Sequence, residues 1–213
     1  MNSLKNIVTA LFVSLFATAA AAQVSVGVSG NYIQMDGKGS ETTSSETRTE
    51  TLEMVYGSIF AEYSFGEFSI GVDYIPHTIQ SETSANERLN DSVDTGRTQV
   101  QVDIEENFMV YGLINLPLDF SAYLKIGYSE ADVLTNETMN TGSSYPDSTL
   151  SGTHISLGTE IDTGQGINMR AEAGWSSFDD ITVTGTGGDG TANTVTAGDL
   201  SGPHARISLV KSF

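Results

Sequence analysis

Past residue 22 the chain has no apolar run near the roughly 20 residues that a membrane-crossing helix needs, and "FMVYGLI" is about the longest. Apolar and polar residues alternate instead with a period of two, the repeat of a strand whose two faces meet unlike surroundings. Eight segments carry that alternation, at 24–34, 53–65, 68–76, 98–115, 120–131, 152–161, 167–178 and 203–213. No convincing helical spacing appears among them, and Gly, Ser and Thr fill the connections. Such a chain is all-β. Its last segment, "HARISLVKSF", is still alternating at its final residue, with Ala205, Ile207, Leu209 and Phe213 opposed to His204, Arg206, Ser208 and Ser212.

The connections alternate too. Those after the first, third, fifth and seventh segments are long, polar and acidic, as in "MDGKGSETTSSETRTETL" and "DDITVTGTGGDGTANTVTAGDLSG", whereas "GE", "LPLD" and "DTGQG" close the others. All long loops therefore collect at one end of the sheet. An even number of antiparallel strands with short turns at one end and long loops at the other is the layout of a bacterial outer-membrane barrel. The expected fold is an eight-stranded antiparallel up-and-down transmembrane β-barrel with three short periplasmic turns and four long extracellular loops.

Which face looks outward is a separate question, because a lipocalin-like barrel would point the same apolar face inward. Aromatic placement decides it. With a rise of ~3.3 Å per residue and a tilt near ~40°, each residue climbs roughly 2.5 Å along the barrel axis. Tyr63, Phe65, Phe68, Phe120 and Phe213 then lie at the turn end of the apolar face. Tyr32, Tyr74, Phe108, Tyr128 and Trp175 lie roughly 15 to 20 Å higher on the same scale. Two aromatic belts around an aliphatic band are expected where rings sit at lipid headgroups. Glu106 shares the parity of Phe108, and near the upper edge such a charge costs only about 0 to 1 kcal/mol.

The 27 acidic residues outnumber the 9 basic ones and leave a net charge of −18. Phosphate binding needs clustered Lys and Arg, so nucleic acid is not an expected partner. The absence of Cys removes disulfides and thiolate metal sites. Lys5, the apolar "IVTALFVSLFAT" and Ala20-Ala21-Ala22 have the order of a cleaved signal peptide. Residues 1–22 are read as that signal and 23–213 as the barrel.

With these features in place, the sequence resembles the small eight-stranded outer-membrane barrels of OmpA/OmpX or opacity-protein type, over essentially the whole of 23–213. The resemblance implies a bacterial outer-membrane location, contact with outer-membrane lipid and lipopolysaccharide, and a monomer. It also implies that Phe213, with Leu209 and Ile207 at alternating positions before it, is the signal read by the barrel-assembly machinery. Lys211 departs from the family's pattern, although a Lys near the rim can snorkel to the interface.

If the apolar face meets lipid, the lumen holds Glu62, Asp73, Lys125, Glu160, Arg170, Glu172 and Arg206. An eight-stranded interior is just wide enough to be filled by side chains. Four acids and three bases there are expected to pair into a plug, since unpaired charges would be poorly solvated. Catalysis is not expected: His154 and Ser156 share a face but lie roughly 6 to 7 Å apart along a strand, too far for a formed dyad, and His77 and His204 belong near the loop end. No metal or cofactor is expected, because the acidic loops lack EF-hand or repeated calcium-binding spacing. The expected function is structural, for envelope integrity or surface contact; a narrow porin for small solutes, or a lipid-modifying enzyme, is the alternative.

Overall fold

The computed structural model describes residues 23–41, 47–80, 84–87, 97–118, 120–138, 145–164, 166–186 and 192–213. The segment 1–22, expected to be a signal peptide, lies outside them. The described residues form eleven strands and no helix: β1 (Gln23–Glu41), β2 (Thr47–Phe65), β3 (Phe68–Tyr74), β4 (Ile79–Gln80), β5 (Ser84–Glu87), β6 (Arg97–Asn115), β7 (Ala122–Thr138), β8 (Ser148–Asp162), β9 (Asn168–Phe178), β10 (Ile181–Thr186) and β11 (Ala192–Ser212). Eight of them, β1, β2, β3, β6, β7, β8, β9 and β11, form the wall, each antiparallel to its neighbour. The ring closes where β1 pairs with β11, from Ser25 opposite Ser212 to Glu41 opposite Val195. The Phe213 amide extends that seam by donating to the Val24 carbonyl at 2.8 Å. Closure leaves no open edge along the seam, which is what a strand-built membrane protein requires.

The apolar face points outward. Val55 is 80 % exposed, Phe213 72 % and Ile207 63 %, whereas Lys125, Arg170 and Glu62 are buried. Water would penalise so much contiguous apolar surface, and a hydrocarbon surrounding removes the penalty. Ala122 is the exception to this parity and is buried. At the turn end, Phe65 and Phe68 flank a two-residue turn in which Gly66 takes φ +64°, a conformation that glycine reaches without steric cost.

The strands run further toward the loop end than alternation alone indicates. β1 continues to Glu41, β2 begins at Thr47, β7 reaches Thr138 and β11 starts at Ala192. These extensions are rich in Thr, Gly and charged residues with only scattered apolar ones such as Val133 and Val195, so hydropathy carries no clear period there; backbone pairing and threonine ladders hold them. Thr182 meets Thr196 at 3.1 Å, and Thr184 meets Thr194 at 2.9 Å.

One irregularity shapes the interior. In β6 a bulge between Glu105 and Phe108 sets two residues, Glu106 and Asn107, into the ladder, with Glu106 at φ +51°. A bulge of one extra residue reverses the parity of everything beyond it. Below it Tyr111 and Leu113 are buried inward; above it Ile104, rather than Glu105, pairs with inward-facing Val133.

Candidate functional site: a lumen in two halves

In the half nearer the turns, alternating strands send charged side chains toward one another from six staves of the barrel. Arg170 on β9 is the hub. Its Nη1 donates to both oxygens of Glu62 on β2, at 2.6 and 2.7 Å, while its Nε reaches Glu160 on β8 at 2.5 Å. Lys125 on β7 donates to Glu172 at 3.2 Å. Arg206 on β11 pairs with Asp73 on β3 at 2.5 Å and approaches Glu172 at 3.9 Å. The four acids and three bases form two ion clusters, Glu62–Arg170–Glu160 and Lys125–Glu172–Arg206–Asp73, which tyrosines join into one network.

Alternation does not single out the aromatic members of that network. Tyr111 donates its hydroxyl to Glu62 at 2.9 Å, and Tyr123 to Glu172 at 3.0 Å. Lys125 sits 4.2 Å from the Tyr111 ring centroid, and the Arg206 guanidinium 4.7 Å from that of Phe60. These rings fill space that short charged side chains leave. The tyrosine hydroxyls also supply neutral donors for the one acid in excess of the bases. The sequence signal was present: Tyr111 and Tyr123 occupy inward parity beside glycines, and a Cβ at Gly71 or Gly158 would collide with their rings.

Above the ions the lining changes. Ser129 lies 2.7 Å from His154 Nε2, His154 Nδ1 lies 2.8 Å from Ser176, and Ser176 lies 2.8 Å from His204 Nδ1. The chain Ser129–His154–Ser176–His204 is satisfied with one proton on each imidazole: Ser176 donates to one ring and accepts from the other, in either direction. Ser156, the partner considered for His154 from spacing, donates instead to Glu172 at 3.4 Å. His77 is exposed and takes no part in this chain.

Higher still, the walls are mostly apolar, with Asn31, Tyr56 and Asn107 among them. Met35, Met54, Ile75, Ile104, Met109 and Leu150 surround a cavity of about 80 Å³ whose floor is the histidine–serine chain and the ion network beneath it. The polar parity that alternation assigns to the inside therefore does not run the whole length of the strands. The physical reason is local: near the loop end consecutive residues are apolar, as at Tyr32-Ile33, Met54-Val55-Tyr56 and Tyr74-Ile75, and the β6 bulge adds Ile104.

On the outer surface, Phe65 stacks near Phe68 with ring centroids 6.2 Å apart and near Tyr63 at 6.3 Å, with Phe120 and Phe213 exposed at the same end. Tyr74 pairs directly with Phe108 across β3 and β6, while Tyr32, Tyr128 and Trp175 are exposed on other strands. Leu209 and Ile207 face outward on β11, and Lys211 lies 5.7 Å from the Phe213 ring centroid.

A closed antiparallel ring with an apolar exterior and an ionic interior is an outer-membrane β-barrel. The model of the family described as "Outer membrane protein beta-barrel domain" matches residues 8–198, and the chain belongs to that family. No curated protein matches it in sequence. Among solved structures it is similar to the outer membrane protein OprG from Pseudomonas aeruginosa, at 9 % identity over 91 % of this chain and 96 % of that one, with a TM-score of 0.57. Neisserial surface protein A is similar at 10 % identity over 86 % and 95 %, with a TM-score of 0.38. The outer membrane protease OmpT from Escherichia coli is similar at 8 % identity over 92 % and 98 %, with a TM-score of 0.39. At these identities the likeness concerns the fold.

Proposed function

We propose that this chain is a structural, non-enzymatic outer-membrane barrel whose lumen is plugged by its own ion network and whose acidic loops face the cell exterior, serving envelope integrity or surface contact. One observation carries the reading: charges from six strands meet in ion pairs across the turn-side part of an interior only eight strands wide. A solute crossing that level must separate buried pairs, and leaving one partner of such a pair alone costs about 3–5 kcal/mol. Against catalysis stands the placement of His154, whose two nitrogens are both engaged by serines and neither by a carboxylate among the described residues.

The same reading has residues 1–22 removed on export, the barrel a monomer in contact with outer-membrane lipid and lipopolysaccharide, and Phe213, Leu209 and Ile207 read by the assembly machinery. Planar-bilayer recording tests the plug: no stable unitary conductance is expected, and a large, steady open channel would overturn it. Unchanged lipid composition in a deletion strain is the expected companion result; a modification lost with the gene and with His154→Ala would establish an enzyme instead.

A further inference from the structure

The cavity above the plug differs in kind from both the ion network and the lipid face. Its walls are mostly aliphatic and thioether side chains, interrupted by Asn31, Tyr56 and Asn107, and its floor is a hydrogen-bonded histidine–serine chain that needs no net charge. The geometry points to a binding cup for a small, neutral, largely apolar solute carrying one hydroxyl or carbonyl group. Three features set this class.

Size is the first. A cavity needs only ~10–15 Å³ of such volume to hold one water, so 80 Å³ has room for several, or for one small organic molecule. Wall chemistry is the second. Asn31, Tyr56 and Asn107 offer water some polar contacts, but beside Met35, Met54, Met109 and Ile75 it finds few of the two to four partners that hold it, so an apolar body that displaces it there gains affinity. Methionines also adjust their shape to the guest, so the walls suit a class of solutes rather than one outline. Charge is the third. Asp73, Lys125, Glu172 and Arg206 line the lower boundary but are already paired with one another, leaving no counter-charge for an ionic guest. The polar floor offers instead the ring nitrogens and hydroxyls of His154, Ser176 and His204, which exchange a hydrogen bond with a neutral head group at little reorganisation.

The test uses the folded, membrane-extracted protein with ¹³C-methyl-labelled methionine, titrated with benzyl alcohol. Met35, Met54 and Met109 line the cup, whereas Met169 lies on the lipid-facing side of β9 and reports partition into detergent. Saturable shifts of the three cup methyls, with Met169 moving only linearly, are expected. Met54→Trp, which fills the cup, is expected to weaken binding at least tenfold, while Val55→Trp, one residue along and outward, leaves it unchanged; retained heat-modifiable gel mobility shows that each variant is folded. Benzoate and benzylammonium are expected to bind at least tenfold more weakly than benzyl alcohol. The inference is overturned if the cup methyls track Met169, if Met54→Trp and Val55→Trp behave alike, or if either ion binds as well as the alcohol. None of these readings depends on conductance, so this inference and the plug fail separately.

Discussion

Along one set of strands the barrel encloses two interiors that hold together by different means. Toward the turns, Arg170, Lys125 and Arg206 are buried against Glu62, Glu160, Glu172 and Asp73, and every member has a partner on another strand. Toward the loops, Met35, Ile75 and Leu150 are buried around space. The lower half gains little net energy from its ions, because desolvation consumes most of the Coulomb attraction, but it is intolerant of losing a single partner. The upper half is more tolerant, because truncating one of its aliphatic side chains strands no buried charge.

The largest effect that separates the halves is expected at the hub. Arg170→Met keeps the aliphatic stem but removes the guanidinium, leaving Glu62 as a buried and Glu160 as a half-buried carboxylate without a counter-charge, at a cost of about 3–5 kcal/mol in urea unfolding from lipid vesicles. A loss under about 1 kcal/mol would mean that the network is wet, since only hydration relieves stranded carboxylates so fully. In the upper half, Leu150→Ala is expected to cost about 2 kcal/mol, the low end for a buried leucine. If it equals or exceeds Arg170→Met, the contrast between the halves is wrong. At the boundary, Ser176→Ala removes the hydroxyl shared by His154 and His204, and about 0.5–1.5 kcal/mol is expected from the same unfolding measurement.

How much of this was legible in the sequence follows the same division. Fold and orientation were, because alternation, one-sided loop lengths and two aromatic levels are independent signals that agree. Alternation also collects Glu62, Asp73, Lys125, Glu160, Arg170, Glu172 and Arg206 on one parity. Which acid meets which base is invisible to it: Glu62 and Arg170 lie on strands that are not neighbours, so their meeting depends on barrel curvature and side-chain reach. Alternation does not single out Tyr111 and Tyr123, because an inward aromatic reads as a break in the polar face, when it is the donor that the excess acid needs. The upper cup was hidden by β6. Strict alternation continued from Tyr111 would turn Asp103 and Glu105 inward; one inserted residue turns Ile104 inward instead, and a single insertion leaves no trace in a two-residue period.

That bulge is where the two halves meet, and it sharpens the contrast with the smallest expected effect. Glu106 holds φ +51°, which costs a residue with a Cβ about 1–2 kcal/mol. Glu106→Gly removes that strain but frees the unfolded chain, which returns about 0.5–1 kcal/mol of the gain. A stabilisation of about 0–1.5 kcal/mol is therefore expected, with no change in which residues face the lumen. Glu106→Val keeps the Cβ and adds branching, so it is expected to destabilise, and its cheapest escape is to lose the bulge. Losing it would turn Asp103 and Glu105 into the cup, so benzyl alcohol binding should fall in the valine variant and persist in the glycine variant. If both variants bind alike while differing in stability, the parity of β6 is held by its pairing with β4, β5 and β7 rather than by the backbone at Glu106, and the boundary between the two interiors is set by the ladder as a whole.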